Sequence, residues 1–109
     1  YYGRTYVLSF FFKTEVGYLA DSMKVVMKPI KMIAWFSEDG VPTPIRFNIR
    51  QRDESSLTIK IDKITLRQKE KLAGNHMLVF TCQSIINNSE IIYEIKYELS
   101  TCRWFLYKI

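Results

Sequence analysis

The stretch "MLVFTCQSIINNSEIIYEIKYEL", residues 77–99, decides how the rest of the chain is read. Asn87-Asn88 separates two runs in which apolar and polar residues alternate, and asparagine tolerates the positive φ that a type I′ hairpin turn requires. With those two residues as the turn, Ile86 faces Ser89, Cys82 faces Tyr93, Phe80 faces Ile95 and Leu78 faces Tyr97. All of these lie on one face of the ribbon, because successive strand residues point to opposite sides. The other face carries Thr81 and Gln83 against Glu94, Lys96 and Glu98, with Met77 and Val79 as apolar exceptions. Turn chemistry and hydrophobic pattern thus predict the same hairpin, Met77 to Ser84 against Ile91 to Leu99.

Downstream of Ser100-Thr101-Cys102 the alternation fails, since Trp104, Phe105, Leu106 and Tyr107 are all large and apolar. A two-residue connection puts Trp104 and Leu106 beside Tyr97 and Leu99, whereas a three-residue loop puts Phe105, Tyr107 and Ile109 there. In either register, apolar side chains leave both faces of the last strand, and exposing them forfeits about 1.5–3 kcal/mol each. The strand is therefore expected to be shielded on both sides, by the core on one and by residues 1–31, a second subunit or a ligand on the other.

Upstream, Met32 to Phe36 reads as a short strand, closed by "SEDGVPTP", where Asp39-Gly40 makes a turn and Pro42 and Pro44 block ladder pairing. Ile45 to Arg52 follows, with Ile45, Phe47 and Ile49 on one side and Arg46, Asn48 and Arg50 on the other. After a turn over Asp53 to Ser56, Leu57, Ile59 and Ile61 define another strand, with a continuation through Ile64 and Leu66 left open. "RQKEKLAGN", residues 67–75, breaks the alternation and reads either as a helical turn over Gln68 to Ala73 or as a wide loop. About six short strands joined mostly by tight turns predict an all-β fold, a small antiparallel meander that is barrel-like or strongly bent.

The expected organisation is a single β domain over residues 27–109, preceded by a segment, 1–26, of separate status. Position 1 is not methionine, and Met23 or Met27 is the expected natural start, with the upstream residues either an extension of the reading frame or the end of something truncated. The alternative is a genuine strand, Tyr6 to Phe12, packed on the sheet. That apolar run is far shorter than the ~20 residues of a membrane helix, so no membrane partner is expected. Lys13 and Glu15 follow it directly and no small-residue cleavage site is apparent, which argues against a signal peptide.

Hydrophobic residues make up 48% of the 109 residues, against three prolines and four glycines, which excludes a disordered chain. Cys82 and Cys102 form no close pair and read as free thiols in a reducing, cytoplasmic setting. Asn87-Asn88-Ser89 matches a glycosylation pattern but reads here as a turn. The formal net charge is +5, of which residues 1–31 hold +3 and residues 32–109 only +2. The excess is thus weak support for a phosphate-binding face.

One local arrangement has binding character: Arg46, Arg50 and Arg52 on the outward side of one strand, with Lys60 on the next. Small barrels that hold single-stranded nucleic acid combine such a track with exposed aromatic platforms, here assigned to Trp104 or Phe105. The competing reading is a solvated face balanced by Asp53, Glu54 and Asp62. The rival function is a protein-interaction or self-association module, in which Trp104, Phe105, Leu106 and Tyr107 form the interface of a homodimer or dock on a protein partner.

Catalysis and cofactors find no support. His76 and Cys82 lie six residues apart on one expected strand, about 20 Å at strand spacing, so they form neither a metal site nor a nucleophile pair. Glu94 and Glu98 have Lys96 between them, a charge ladder rather than an acid–base pair. No phosphate-cradling glycine loop is present. The sequence therefore reads as a non-enzyme that requires no metal and no cofactor.

The phrases "MIAWFSEDGVPTPIRFNI", "EKLAGNHMLVFTCQSIINNSE" and "YEIKYELSTCRWFLYKI" resemble those of a group of short uncharacterised proteins of Firmicutes, especially clostridia. The resemblance spans about Met27 to Ile109. It implies a bacterial, cytosolic setting and carries over no activity, cofactor or binding residue.

Overall fold

The computed structural model describes residues 23–109. The described residues form seven antiparallel strands: β1 (Val25–Phe36), β2 (Pro42–Arg50), β3 (Ser56–Lys60), β4 (Lys63–Leu72), β5 (Asn75–Ile86), β6 (Ser89–Glu98) and β7 (Arg103–Lys108). Their order across the sheet is β3-β2-β1-β7-β6-β5-β4. Each neighbouring pair is consecutive in sequence except β1 and β7, so the meander closes on itself through its first and last strands. The sheet curls into a half-barrel whose open seam lies between β3 and β4.

β1 makes the curl by changing partners along its length. Lys28 to Ile30 pair with Leu106 to Trp104 of β7, whereas Lys31 to Phe36 pair with Asn48 to Pro42 of β2. Val26, Ile30, Met32 and Ala34 turn inward from this strand and pack on the core. The expected strand, Met32 to Phe36, is only the second half. Pro29 concealed the first half, because a proline is tolerated in a strand only where its nitrogen faces away from a ladder. Here the edge of β1 at Pro29 that faces β2 has no partner among the described residues.

Pro42 and Pro44 likewise stand inside β2, buried and opposite Phe36 and Ala34, instead of blocking the ladder. β3 reaches β2 only from Arg46 onward, so the missing N–H groups fall on an edge that has no neighbouring strand among the described residues. A bulge at this point turns Ile45 out to solvent, against the inward position that strict alternation predicts.

The β5–β6 hairpin has the register read from the sequence: Cys82 opposite Tyr93, Phe80 opposite Ile95 and Leu78 opposite Tyr97, turning at Asn87 and Asn88 with φ of 52° and 65°. The stretch expected as a helical turn or wide loop is instead strand β4, joined to β5 by a second two-residue turn, Ala73-Gly74, with φ of 51° and 85°. β4 is the sheet's edge and nearly all of it is exposed, so burial imposes no alternation on its sequence. Nor does β3 run on through Ile64 and Leu66; Ile61 and Asp62 link it to β4.

That link is stitched down. The Ile61 amide donates to the Ile45 carbonyl at 2.9 Å and the Asp62 amide to the Gln83 carbonyl at 2.9 Å. The Asp62 carboxylate accepts from the Ile85 amide at 2.8 Å, and Ser84 Oγ donates to the Lys60 carbonyl at 2.6 Å. Inside the curl, Phe47, Ile49 and Ile59 meet Phe80, Cys82, Tyr93, Ile95, Trp104 and Leu106. The Phe47 and Tyr93 rings span the two sides edge to face, 5.6 Å apart.

β7 settles the register left open. Trp104 lies opposite Tyr97 and Leu106 opposite Ile95, both facing the core, after a four-residue connection in which Cys102 has a φ of 60°. Phe105 points outward opposite Lys96 and is buried as well, as are Met77 and Val79 on the same outer face. From Trp104 to Leu106 the last strand is therefore shielded on both sides, with Tyr107 and Lys108 half-buried and Arg103 exposed. Of the expected covers, residues 1–22, including the run Tyr6 to Phe12, lie outside the described residues. The sheet itself begins at Val25, two positions before the expected domain boundary.

Candidate nucleic-acid interface

The outer face of β1–β3 carries the cations singled out from sequence. Arg46 and Arg50 project from β2 with Asn48 between them, and Lys60 of β3 stands directly opposite Arg46. All three cations are exposed. Cross-strand pairing adds a fourth, because Lys31 of β1 lies opposite Asn48. Directly paired side chains in an antiparallel sheet have Cβ atoms about 5 Å apart, so these residues form one surface. Arg52 departs from the expected row: it sits in the turn beyond β2 and is engaged in an interaction of its own.

Two of the three carboxylates expected to balance this row are occupied elsewhere, whereas Glu54, in the β2–β3 turn, stays exposed. Asp53 accepts hydrogen bonds from the Ser55 hydroxyl and, at 2.9 Å, from the Ser55 amide, and these bonds hold its carboxyl below the usual range. Asp62 caps the Ile85 amide. Among the described residues, no carboxylate pairs with Lys31, Arg46, Arg50 or Lys60.

The aromatic platform is not where the sequence placed it. Trp104 is 8% exposed and packed on Tyr97 and Phe80, and Phe105 is 8% exposed beneath the Arg103 guanidinium, so neither ring offers a face to a base. Trp35 does: it is 61% exposed and alternates outward with Ile33, whose cross-strand partner is Arg46. Sequence reading missed it because a tryptophan inside "MIAWF" looks like core. Once Ala34 is known to face inward, the strand period sends Trp35 out.

The same surface contains a cleft. β1 leaves β2 at Lys31 and follows β7, while β2 continues along β3 through Ile49 and Arg50, so the two strands fork. The fork holds a volume of about 390 Å³ lined by Pro29, Ile30, Lys31, Asn48, Arg50, Glu54 and Ser56. Among the described residues, the two banks have no ladder partner there.

The other outer face uses its charge differently. Lys96 is 6% exposed; its ammonium bonds both Glu70 carboxylate oxygens, at 3.1 and 2.9 Å, and lies 3.7 Å from the centre of the Tyr107 ring. The interface expected over Trp104, Phe105, Leu106 and Tyr107 is consumed by internal packing, with Trp104 and Leu106 in the core and Phe105 buried.

Cys82 is fully buried, and desolvation pushes its thiol up to about 12, the opposite of what activates a nucleophile. Tyr93 is likewise raised by burial, its hydroxyl sharing a hydrogen bond with Ser84. Cys102 is exposed and distant in sequence from His76. Among the described residues no three His, Cys, Asp or Glu side chains gather as metal ligands, and no helix is long and apolar enough to cross a membrane. Compared with known proteins, the chain matches no family model, no curated protein and no solved structure.

Proposed function

We propose that this half-barrel is a binding module that holds single-stranded nucleic acid across the outer face of β1–β3. Lys31, Arg46, Arg50 and Lys60 contact phosphates, and the Trp35 indole stacks on a base. The observation that carries this reading is an exposed tryptophan on the same face as four cations that no described carboxylate neutralises. Single-strand binding proteins use this combination, since phosphate attraction is sequence-independent and every base has a face on which to stack.

The test is fluorescence anisotropy with a labelled oligo-dT across a salt series. Four phosphate contacts predict a slope of about −3 in log affinity against log salt. Arg46→Glu with Arg50→Glu abolishes binding while circular dichroism stays unchanged. A wild-type protein that ignores oligonucleotides at low salt defeats the proposal.

A second reading, self-association, draws support from the same region. Ile33, Trp35, Phe36, Val41 and Ile45 are all exposed, and the edge of Lys31–Phe36 that faces away from β2 has no strand partner among the described residues. Unlike β4, guarded by Lys63, Arg67, Lys69 and Lys71, the run Met32 to Phe36 carries no charge to oppose pairing with a second copy. Light scattering then gives a dimer that Ile33→Lys splits and that salt leaves intact; a monomer at high concentration removes this reading.

A further inference from the structure

We propose that the fork between β1 and β2 is a base-reading site, and that it selects guanine over the other bases of a bound strand. The inference rests on the nucleic-acid reading above and concerns what the cleft adds to it. A surface that only tracks phosphates needs cations and a stacking ring. This cleft also holds acceptors, set among the cations that would draw a strand across it.

Glu54 is the informative residue. It stands in the β2–β3 turn, where its amide donates to the Gln51 carbonyl at 2.9 Å and its φ of 70° fixes the turn, and it lines the cleft with Arg50 and Lys31. A carboxylate on a phosphate-binding face weakens attraction to every strand, so it opposes binding unless a base repays it. Asn48 points the same way. It lines the cleft, and its Nδ2 donates to Thr58 Oγ1 at 3.1 Å, which leaves its carbonyl oxygen as an acceptor. Ser56 supplies a hydroxyl that serves as either donor or acceptor.

An acceptor-rich rim calls for a base edge rich in donors. Guanine presents N1–H and N2–H side by side, matching the two oxygens of one carboxylate. Cytosine and adenine each offer one amino group next to a ring nitrogen that repels the second oxygen, and thymine offers a single N3–H between two carbonyls. The volume of about 390 Å³ accommodates one nucleotide, with Pro29 as an apolar wall and Arg50 and Lys31 beside the flanking phosphates. Carboxylate–guanine pairing in an open cleft is expected to be worth about tenfold in affinity, toward the lower end of discrimination by a bidentate contact.

The experiment uses the full chain and four labelled oligo-dT probes that differ at one central position, dG, dC, dA or dT, in lithium buffer at low salt. The guanine probe is expected to bind about tenfold tighter than the all-thymine probe. Glu54→Gly removes the carboxylate at a φ that glycine adopts freely; it is expected to erase that preference and to tighten binding of the all-thymine probe. Glu54→Gln, which keeps the shape and loses the charge, is expected to retain at most a remnant of the preference. Equal binding of all four probes overturns the base-reading inference and leaves the nucleic-acid proposal standing. A guanine preference that survives Glu54→Gly overturns the role of Glu54. Failure of every probe to bind removes the underlying reading and this inference with it.

Discussion

Two surfaces on the outside of one curled sheet treat their charges in opposite ways. Over β5–β7, Met77, Val79 and Phe105 are buried, and Lys96 is tied to Glu70 and laid on the Tyr107 ring. Over β1–β3, Lys31, Arg46, Arg50 and Lys60 face solvent beside Trp35, with Asp53 and Asp62 committed to backbone amides and Glu54 lining the cleft with Lys31 and Arg50. A sequence shows both surfaces as charged residues alternating with apolar ones. The difference is that Lys96 serves the fold, while the β1–β3 cations do nothing evident for it and are free to serve a ligand.

That contrast breaks most visibly at Phe105. Phe105→Ala is expected to cost about 3–4 kcal/mol in urea unfolding, because it empties a buried site. Glu70→Ala leaves Lys96 buried without its counter-ion and is expected to cost about 2 kcal/mol, reduced from a fully buried pair because Glu70 is partly exposed. The double change Glu70→Met with Lys96→Met should recover most of that loss; if Glu70→Ala alone is silent, Lys96 is not structural.

Alkali separates the interior from both surfaces. The folded state raises Cys82 from 9.0 to about 12, so the stability that goes with its neutral thiol is complete below pH 9 and drains away as pH climbs toward 12. The expected slope is up to ~1.4 kcal/mol per pH unit from this group, and Cys82→Ala should flatten the curve. Smallest for the fold is Trp35→Ala, expected to change stability by less than about 0.5 kcal/mol, as exposed sites do. Its effect lies in binding, where loss of a stacking platform should cost about 1–3 kcal/mol of oligonucleotide affinity. A Trp35→Ala protein that unfolds readily while binding normally would falsify the assignment of that face to ligand.

The pattern of what was legible follows burial. The β5–β6 hairpin is central and buried on its inward face, so its register could be written down from Asn87-Asn88 and the alternation of Phe80, Cys82, Tyr93 and Ile95. β4 was not legible as a strand, because an edge wet on both sides has no reason to alternate. β1 was half legible: its burial alternates from Val25 to Trp35 but its residue types do not, and Pro29 signals a break where the strand merely exchanges one neighbour for another. The basic row was read correctly for Arg46, Arg50 and Lys60, which follow strand parity, and wrongly for Arg52, which lies past the strand's end. Trp104 and Phe105 were expected to offer an exposed ring and are buried instead, because a strand buried on both sides looks, in sequence, the same as one with a ring to spare. Trp35 and the cleft needed the pairing of β1 with β2, which is a fact of tertiary structure.

The neighbouring of β1 and β7 also has a kinetic meaning. Hairpins β1–β2, β2–β3, β4–β5, β5–β6 and β6–β7 join residues close along the chain, whereas the contact of Ile30 with Trp104 must wait until nearly the whole domain has been gathered. Closing so long a loop carries the largest entropic toll of any ladder among the described residues, so the β1–β7 ladder is expected to form last and to set the refolding rate. Until it does, the incomplete sheet presents β1 and β7 as raw edges, and the interval before closure is when the chain is most exposed to mispairing with its own kind.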